Sequence, residues 1–327
     1  MTRPAHELCP EAALDWHRGG AGAALATVIQ TWGASPCPVG SQMAVSGAGE
    51  MVGSVSGGCV EAAVVAEALA ALVDRRSRTL TFGIADETAF AVGLSCGGQV
   101  RVLVDPVGEG ALSETLLAGL VAARAAGQSV ALVSGLVDGQ RALVRPGQDA
   151  EIDARLGADR SGLGTGGRFV AVFNPAPRLI VVGAVHIAQP LLTMARLCGF
   201  DPVLVDPRPA FASAARFPGE AILDDWPDTA LRKLVPDTRS AVVVLTHDPK
   251  LDESALVAAL ASQAFYIGCL GSARTQAARQ VRLRALGTSE AALARVHGPV
   301  GLDIGAETPG EIAVAILADI IRCGKQI

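Results

Sequence analysis

The stretch Leu179-Ile-Val-Val-Gly-Ala-Val-His-Ile-Ala188 decides the fold of the second half of this chain. Four uncharged apolar residues run into a glycine, and a helical pattern then continues to residue 197. That order predicts a buried strand, a phosphate-type loop and a helix. Asp206 closes the next apolar run 23 residues after Gly183, near the roughly 20 at which dinucleotide folds place a ribose-binding acid. Strand-like runs at 202–205, 241–245, 265–267 and 301–304 alternate with helical patterns, which predicts a parallel sheet covered on both faces. The loop departs from the G-x-G-x-x-G pattern, because Val185 stands where bare backbone should approach a pyrophosphate. NAD(P) in its usual pose is therefore not expected.

Open parallel sheets collect their binding groups beyond the carboxyl ends of the strands. Gly183, His186 and Asp206 fall there, as do His247 and Asp248 after the run at 241–245. Gly268, Gly271, Ser272 and Arg274 follow the run at 265–267 and open a helix suited to an anion. Together these residues predict a nucleotide-like crevice. Neither His186 nor His247 has an acid or cysteine at a ligand spacing, so metal ligation by them is not expected. Thr308-Pro309-Gly310-Glu311 reads as an N-cap, a first-turn proline and a capping-box glutamate.

The first half predicts a mixed α/β unit. A helix is expected at 11–18, a strand at 24–32, a hairpin pairing 42–46 with 51–55, and a helix from residue 59. Strands at 79–84, 100–104, 130–136 and 169–173 and a helix at 112–126 follow. Asn174-Pro175-Ala176-Pro177 stops both helix and sheet, so domains at 1–174 and 178–327 are expected. Within the first, Gly53-Ser-Val-Ser-Gly-Gly-Cys-Val-Glu61 is a strand-to-helix turn. Its Ser56, Gly57 and Gly58 are expected to leave backbone N–H groups free for a phosphate, with Glu61 close by. Cys59, in the expected first helical turn, would be favoured as a thiolate. Cys96, beside Gly97 and Gly98, is a second cysteine set in bare backbone, able to share a soft metal or exchange sulfur with Cys59.

Composition narrows the function classes. The 327 residues are 50% hydrophobic, 18% charged and only 4% aromatic, with a mean hydropathy of +0.39, which implies aliphatic cores in about two domains. A net charge of −5 leaves no footprint for nucleic acid or an anionic membrane. The start Met-Thr-Arg-Pro-Ala-His-Glu has no apolar leader, and the apolar segments are interrupted by acids, so no membrane passage is expected. Seven scattered cysteines suggest reduced thiols and a cytoplasmic location.

These motifs in this order resemble the XdhC/CoxI accessory proteins of xanthine dehydrogenase and related molybdenum hydroxylases. The resemblance is carried by 53–61, Leu94-Ser-Cys-Gly-Gly98, 183–188, Val205-Asp-Pro-Arg208, Thr246-His-Asp248, Tyr266-Ile-Gly-Cys-Leu-Gly-Ser272 and Leu302-Asp-Ile-Gly-Ala-Glu-Thr-Pro309. It implies an N-terminal domain and a C-terminal Rossmann domain. The implied function is a chaperone that binds molybdenum cofactor (molybdopterin, in its mononucleotide or dinucleotide form), protects it, assists its sulfuration and delivers it. The implied contacts are Cys59, for molybdenum or its sulfur, and Cys96. The implied partners are an apo molybdenum hydroxylase, a cysteine desulfurase and a cofactor nucleotidyltransferase, and the apolar composition is compatible with a homodimer. Two other classes stay open: an NAD(P)-dependent or nucleotide-handling enzyme using the crevice, and a protein-docking scaffold without ligand.

Overall fold

A computed structural model describes residues 8–33, 35–58, 60–83 and 98–324. Cys59, Cys96, Gly97 and the end of the strand expected at 79–84 lie outside the described residues. The chain forms two compact units, 1–175 and 176–327.

The first unit is built on a five-stranded antiparallel sheet. It contains β1 (Ala23–Trp32), β2 (Gln42–Ser46), β3 (Met51–Gly53), β4 (Arg78–Phe82) and β5 (Gln99–Pro106), in the order β3-β2-β1-β5-β4. Successive side chains point to opposite faces of a strand. Ala24, Ala26 and Val28 thus pack with α2 (Glu61–Asp74), while Ala23, Leu25 and Ile29 pack on the other side with α1 (Cys9–Arg18) and α3 (Glu114–Ala125). Burial on both faces explains why β1 is buried and mostly apolar from Ala23 to Ile29 although its sheet is antiparallel.

A second, four-stranded sheet is made of β6 (Val130–Gly135), β7 (Arg141–Val144), β8 (Gly162–Leu163) and β9 (Arg168–Phe173), with α4 (Ala150–Gly157) before β8. Periodicity did not reveal β7, α4 or β8. The strands are short, and α4 buries only Ile152 and Leu156. Asp105 of β5 and Arg141 of β7 tie the two sheets together through bonds of 2.6 and 3.0 Å, with side chains only 6% and 3% exposed.

The second unit contains β10 (Arg178–Val182), α5 (Ala188–Leu197), β11 (Asp201–Val205), β12 (Ile222–Leu223), α6 (Pro227–Leu234), β13 (Ser240–Val244) and α7 (Pro249–Leu260). After these come β14 (Tyr266–Cys269), α8 (Ala273–Ala285), α9 (Glu290–Leu293), β15 (Val296–His297) and α10 (Pro309–Gly324). The parallel sheet has the order β12-β11-β10-β13-β14-β15, with α5 and α10 packed on one face and α6, α7 and α8 on the other. This is the Rossmann-like, doubly covered sheet expected from the strand-helix alternation. The boundary between β10 and β13 is its topological switch point.

The expected strand at 301–304 is not formed, and the edge strand is β15. Gly301 adopts a φ of +90°, and a Cβ there would lie 2.9 Å from the backbone of Ala315 and Ile316. Leu302 N–H donates to the Ala315 carbonyl, so this segment packs on α10 rather than on the sheet. The capping box is present: Glu307 and Thr308 N–H donate to Glu311 Oε2 at 2.9 and 3.0 Å.

Removing one partner of a buried pair strands the other charge. Arg141→Met should therefore lower stability by about 3–5 kcal/mol, and adding Asp105→Leu should recover most of the loss, as read by urea unfolding.

Candidate functional site

The turn at 53–61 is organised by one carboxylate. Glu61, the first residue of α2, is 6% exposed. Its Oε1 accepts from Ser54 Oγ (2.6 Å), Val55 N–H (3.2 Å) and Ser56 N–H (2.9 Å). Its Oε2 accepts from Ser56 Oγ (2.6 Å), Gly58 N–H (2.9 Å) and Val60 N–H (3.1 Å). Gly57 N–H donates instead to Ser54 Oγ at 2.9 Å. Burial alone pushes the Glu61 carboxyl up, but the Ser54 and Ser56 hydroxyls and the Ser56 amide outweigh it and hold the group down to about 2.

This corrects the reading of the loop as an open phosphate nest. The N–H groups of residues 55, 56, 57, 58 and 60 are already satisfied inside the protein, and the anion in the nest is the chain's own. The helix also begins at residue 61 rather than 59, and the thiolate expected at Cys59 lies outside the described residues. Glycine is required at 57, where φ is +77° and a Cβ would come within 3.2 Å of Pro36.

That contact leads to a feature the sequence did not single out. A cleft of about 640 Å³ in the first unit is lined by Cys37, Ser41, Gln42, Ser54, Phe173 and Asn174, among others. Cys37 Sγ lies 3.8 Å from Ser54 Oγ, the hydroxyl that also holds Glu61. The loop carrying the sequence-predicted cysteine thus shares a residue with a cleft that has its own cysteine. Cys9, at the same cleft, is a different case: it is 2% exposed, its thiol lies 3.3 and 3.4 Å from the Gln42 and Val52 carbonyls, and burial pushes it up to about 11. It is a packing thiol. Cys37, Cys198, Cys269 and Cys323 are free thiols. Gly98 directly precedes β5.

In the second unit the crevice residues separate into two groups. Exposed at the carboxyl edge are His186, His247, Ser272 and Arg274, with Asp248 and Gly271 half-buried beside them. His247 takes a left-handed φ of +60°, and Ser272 caps α8 by accepting from Thr275 N–H at 3.2 Å.

Asp206 and Gly268 do not belong to this rim. Asp206 is fully buried: Ala184 N–H donates to its Oδ2 at 2.8 Å, and Arg208 reaches both oxygens at 2.9 and 2.7 Å. Burial pushes its carboxyl up, but Arg208 and the Ala184 amide hold it below the ordinary range. It is not presented for a ribose. Gly268 lies inside β14, where a Cβ would meet Val300 at 2.5 Å and Tyr266 at 2.8 Å. Gly183 N–H donates to the Val205 carbonyl, so it too serves the sheet. Beneath the rim, Thr246, Asp252, Gln276 and Arg279 form a buried polar network.

A sequence model of the XdhC and CoxI family matches residues 16–83, and one of the XdhC Rossmann domain matches residues 179–320. The molybdenum cofactor insertion chaperone PaoD of Escherichia coli is 30% identical over 302 residues, covering 92% of this chain and 83% of that protein. A Bacillus subtilis protein described as a probable xanthine dehydrogenase subunit is 28% identical over 318 residues, 93% of this chain and 94% of that one. The crystal structure of a Bacillus halodurans protein described as a xanthine dehydrogenase superposes with a TM-score of 0.77 at 26% identity, covering 97% and 96% of the two chains.

Two outcomes follow from the geometry. A carboxyl held at about 2 contributes stability above its ordinary 4.5 that is lost as the pH falls from 4.5 to 2. Glu61→Gln should therefore cost about 3 kcal/mol at neutral pH and flatten that part of an acid-unfolding curve. Restoring a glycine with Val185→Gly should produce no NAD binding by calorimetry, because Asp206 still occupies the Ala184 N–H.

Proposed function

This chain belongs to the XdhC and CoxI family, and on that footing we propose that it is a molybdenum cofactor chaperone. In this reading it binds the cofactor as cargo, shields it, assists its sulfuration and passes it to an apo hydroxylase of the xanthine dehydrogenase type. Residues 1–174 handle the cargo, and residues 178–327 serve partners or the nucleotide part of a dinucleotide form. The partners are the hydroxylase, a cysteine desulfurase and a cofactor nucleotidyltransferase, in the cytoplasm. NAD(P) has no place in it.

The observation that supports this reading most is the joint between the Glu61-held loop and the cleft at Cys37. Its volume of about 640 Å³ lies in the range of roughly 300–1,000 Å³ typical of small-molecule sites. Ser41 and Gln42 offer polar groups for a pterin edge, and Phe173 an apolar wall. Thiols suit a soft molybdenum–sulfur centre, and Cys59 is assigned the contact to molybdenum or its terminal sulfur, with Cys96 second. The loop amides do not suit the phosphate, since Glu61 holds them. A phosphate must find its donors elsewhere.

Glu61 in this scheme keeps the backbone on either side of position 59 at fixed geometry, because Gly58 and Val60 N–H share one carboxylate oxygen. Preorganisation of that kind lowers the ordering cost of binding. Among the described residues no helix is long and apolar enough to cross a membrane.

The test is the molybdenum and pterin retained after anaerobic incubation with free cofactor and gel filtration. Wild type should retain close to one equivalent, and Cys59→Ala should reduce retention sharply. Cys37→Ala should weaken retention without altering the thermal midpoint. Negligible retention by wild type would overturn the assignment.

A further inference from the structure

A second constellation lies in the Rossmann-like unit, on elements that the crevice rim does not use. In α10, Asp319 and Cys323 are four residues apart and so lie on one face of the helix. His297, in the edge strand β15, meets that face: its Nδ1 is 3.2 Å from Asp319 Oδ2. One donor atom each from His297, Asp319 and Cys323 falls within 4.8 Å of the other two.

The surroundings are those of a prepared site. Asp319 is 2% exposed, whereas His297 and Cys323 are half-buried, so a buried anion forms the floor and solvent reaches the other two. Tyr266 packs against His297 with ring centroids 4.4 Å apart and planes tilted by 33°, and its hydroxyl donates to Asp319 Oδ2 at 2.8 Å. Arg322 holds Asp319 Oδ1 at 2.6 Å. Metal-ligating carboxylates are commonly hydrogen-bonded in just this manner by an outer shell.

An internal ion-pair network accounts for Asp319, Tyr266, His297 and Arg322. It does not account for Cys323. The sulfur sits within 4.8 Å of a buried carboxylate oxygen, and a cation between the two would draw both. Bonds of about 2.0–2.3 Å put the donor atoms of a tetrahedral zinc site about 3.2–3.8 Å apart, so a side-chain adjustment of about 1 Å would close the set.

We propose that His297, Asp319 and Cys323 bind a borderline divalent transition-metal ion of the zinc class, leaving a fourth position to solvent. The mixed nitrogen, oxygen and sulfur donors favour zinc or cobalt over magnesium or calcium, which prefer oxygen alone. The ion ties the edge strand to the last helix, stabilising the unit wherever the metal is present. Binding releases the thiol proton, and no redox change is involved.

Cobalt(II) titration of the full chain, followed by its thiolate charge-transfer band, tests the site, with equilibrium dialysis against zinc as the count. Other cysteines of the chain can contribute, so the difference between wild type and Cys323→Ser is the readout. One equivalent and its share of the band should disappear in Cys323→Ser. His297→Gln should weaken the same equivalent by about tenfold or more. Zinc should raise the thermal midpoint of wild type and leave that of Cys323→Ser unmoved. Equal stoichiometry, spectrum and midpoint shift in wild type and Cys323→Ser would overturn the proposal, as would the absence of zinc retention by wild type.

Discussion

The constraint on which the first unit turns is a single buried carboxylate. A glycine-rich turn between a strand and a helix exposes a cluster of N–H donors, and such donors must be satisfied by something. Here Glu61 satisfies them from within, taking three hydrogen bonds on each oxygen. Hydrogen bonds to a charged acceptor are worth about 1.5–3 kcal/mol each when the alternative is an unsatisfied group, so the loop has little freedom to rearrange. Ser54 extends the same network to the cleft at Cys37.

The second unit repeats this solution with different residues. Its strand-to-helix loop after β10 would ordinarily present an N–H to a phosphate, but Ala184 donates to buried Asp206 instead. Asp206 in turn is neutralised by Arg208. An internal carboxylate is held beside its donors by the fold, whereas a free phosphate must be captured at millimolar concentrations or less. Both sites that resemble anion cradles are therefore structural joints. Val185, the departure from the dinucleotide pattern, is consistent with this, since it packs against the core beside Ala184 and Ala188.

The elements themselves were largely legible. The strands β1, β5, β10 and β13 and the helix α2 follow from apolar runs and helical spacing, because burial on a sheet face or helix stripe leaves a periodic trace. The capping box at 308–311 was legible for the same reason, as its chemistry is contained in four residues. The elements β7, α4 and β8 left too short or too polar a trace. The assignment of 301–304 as a strand failed because apolar residues packing on a helix look the same as residues packing on a sheet. Glu61 is a candidate by its place in the loop, yet nothing in the pattern says that its side chain turns back onto that loop.

The apolar runs that become β1, β5, β10 and β13 and the capping box at 308–311 were determined by the sequence alone, through contacts that are local or periodic. Which donor meets which acceptor was decided by the tertiary structure. Ala184 and Asp206 are 22 residues apart, Cys37 and Ser54 are 17 apart, and Tyr266 and Asp319 are 53 apart. No periodicity spans those separations. Their meeting depends on how strands register and helices pack, and a buried polar group commits to a partner only once that packing has excluded water.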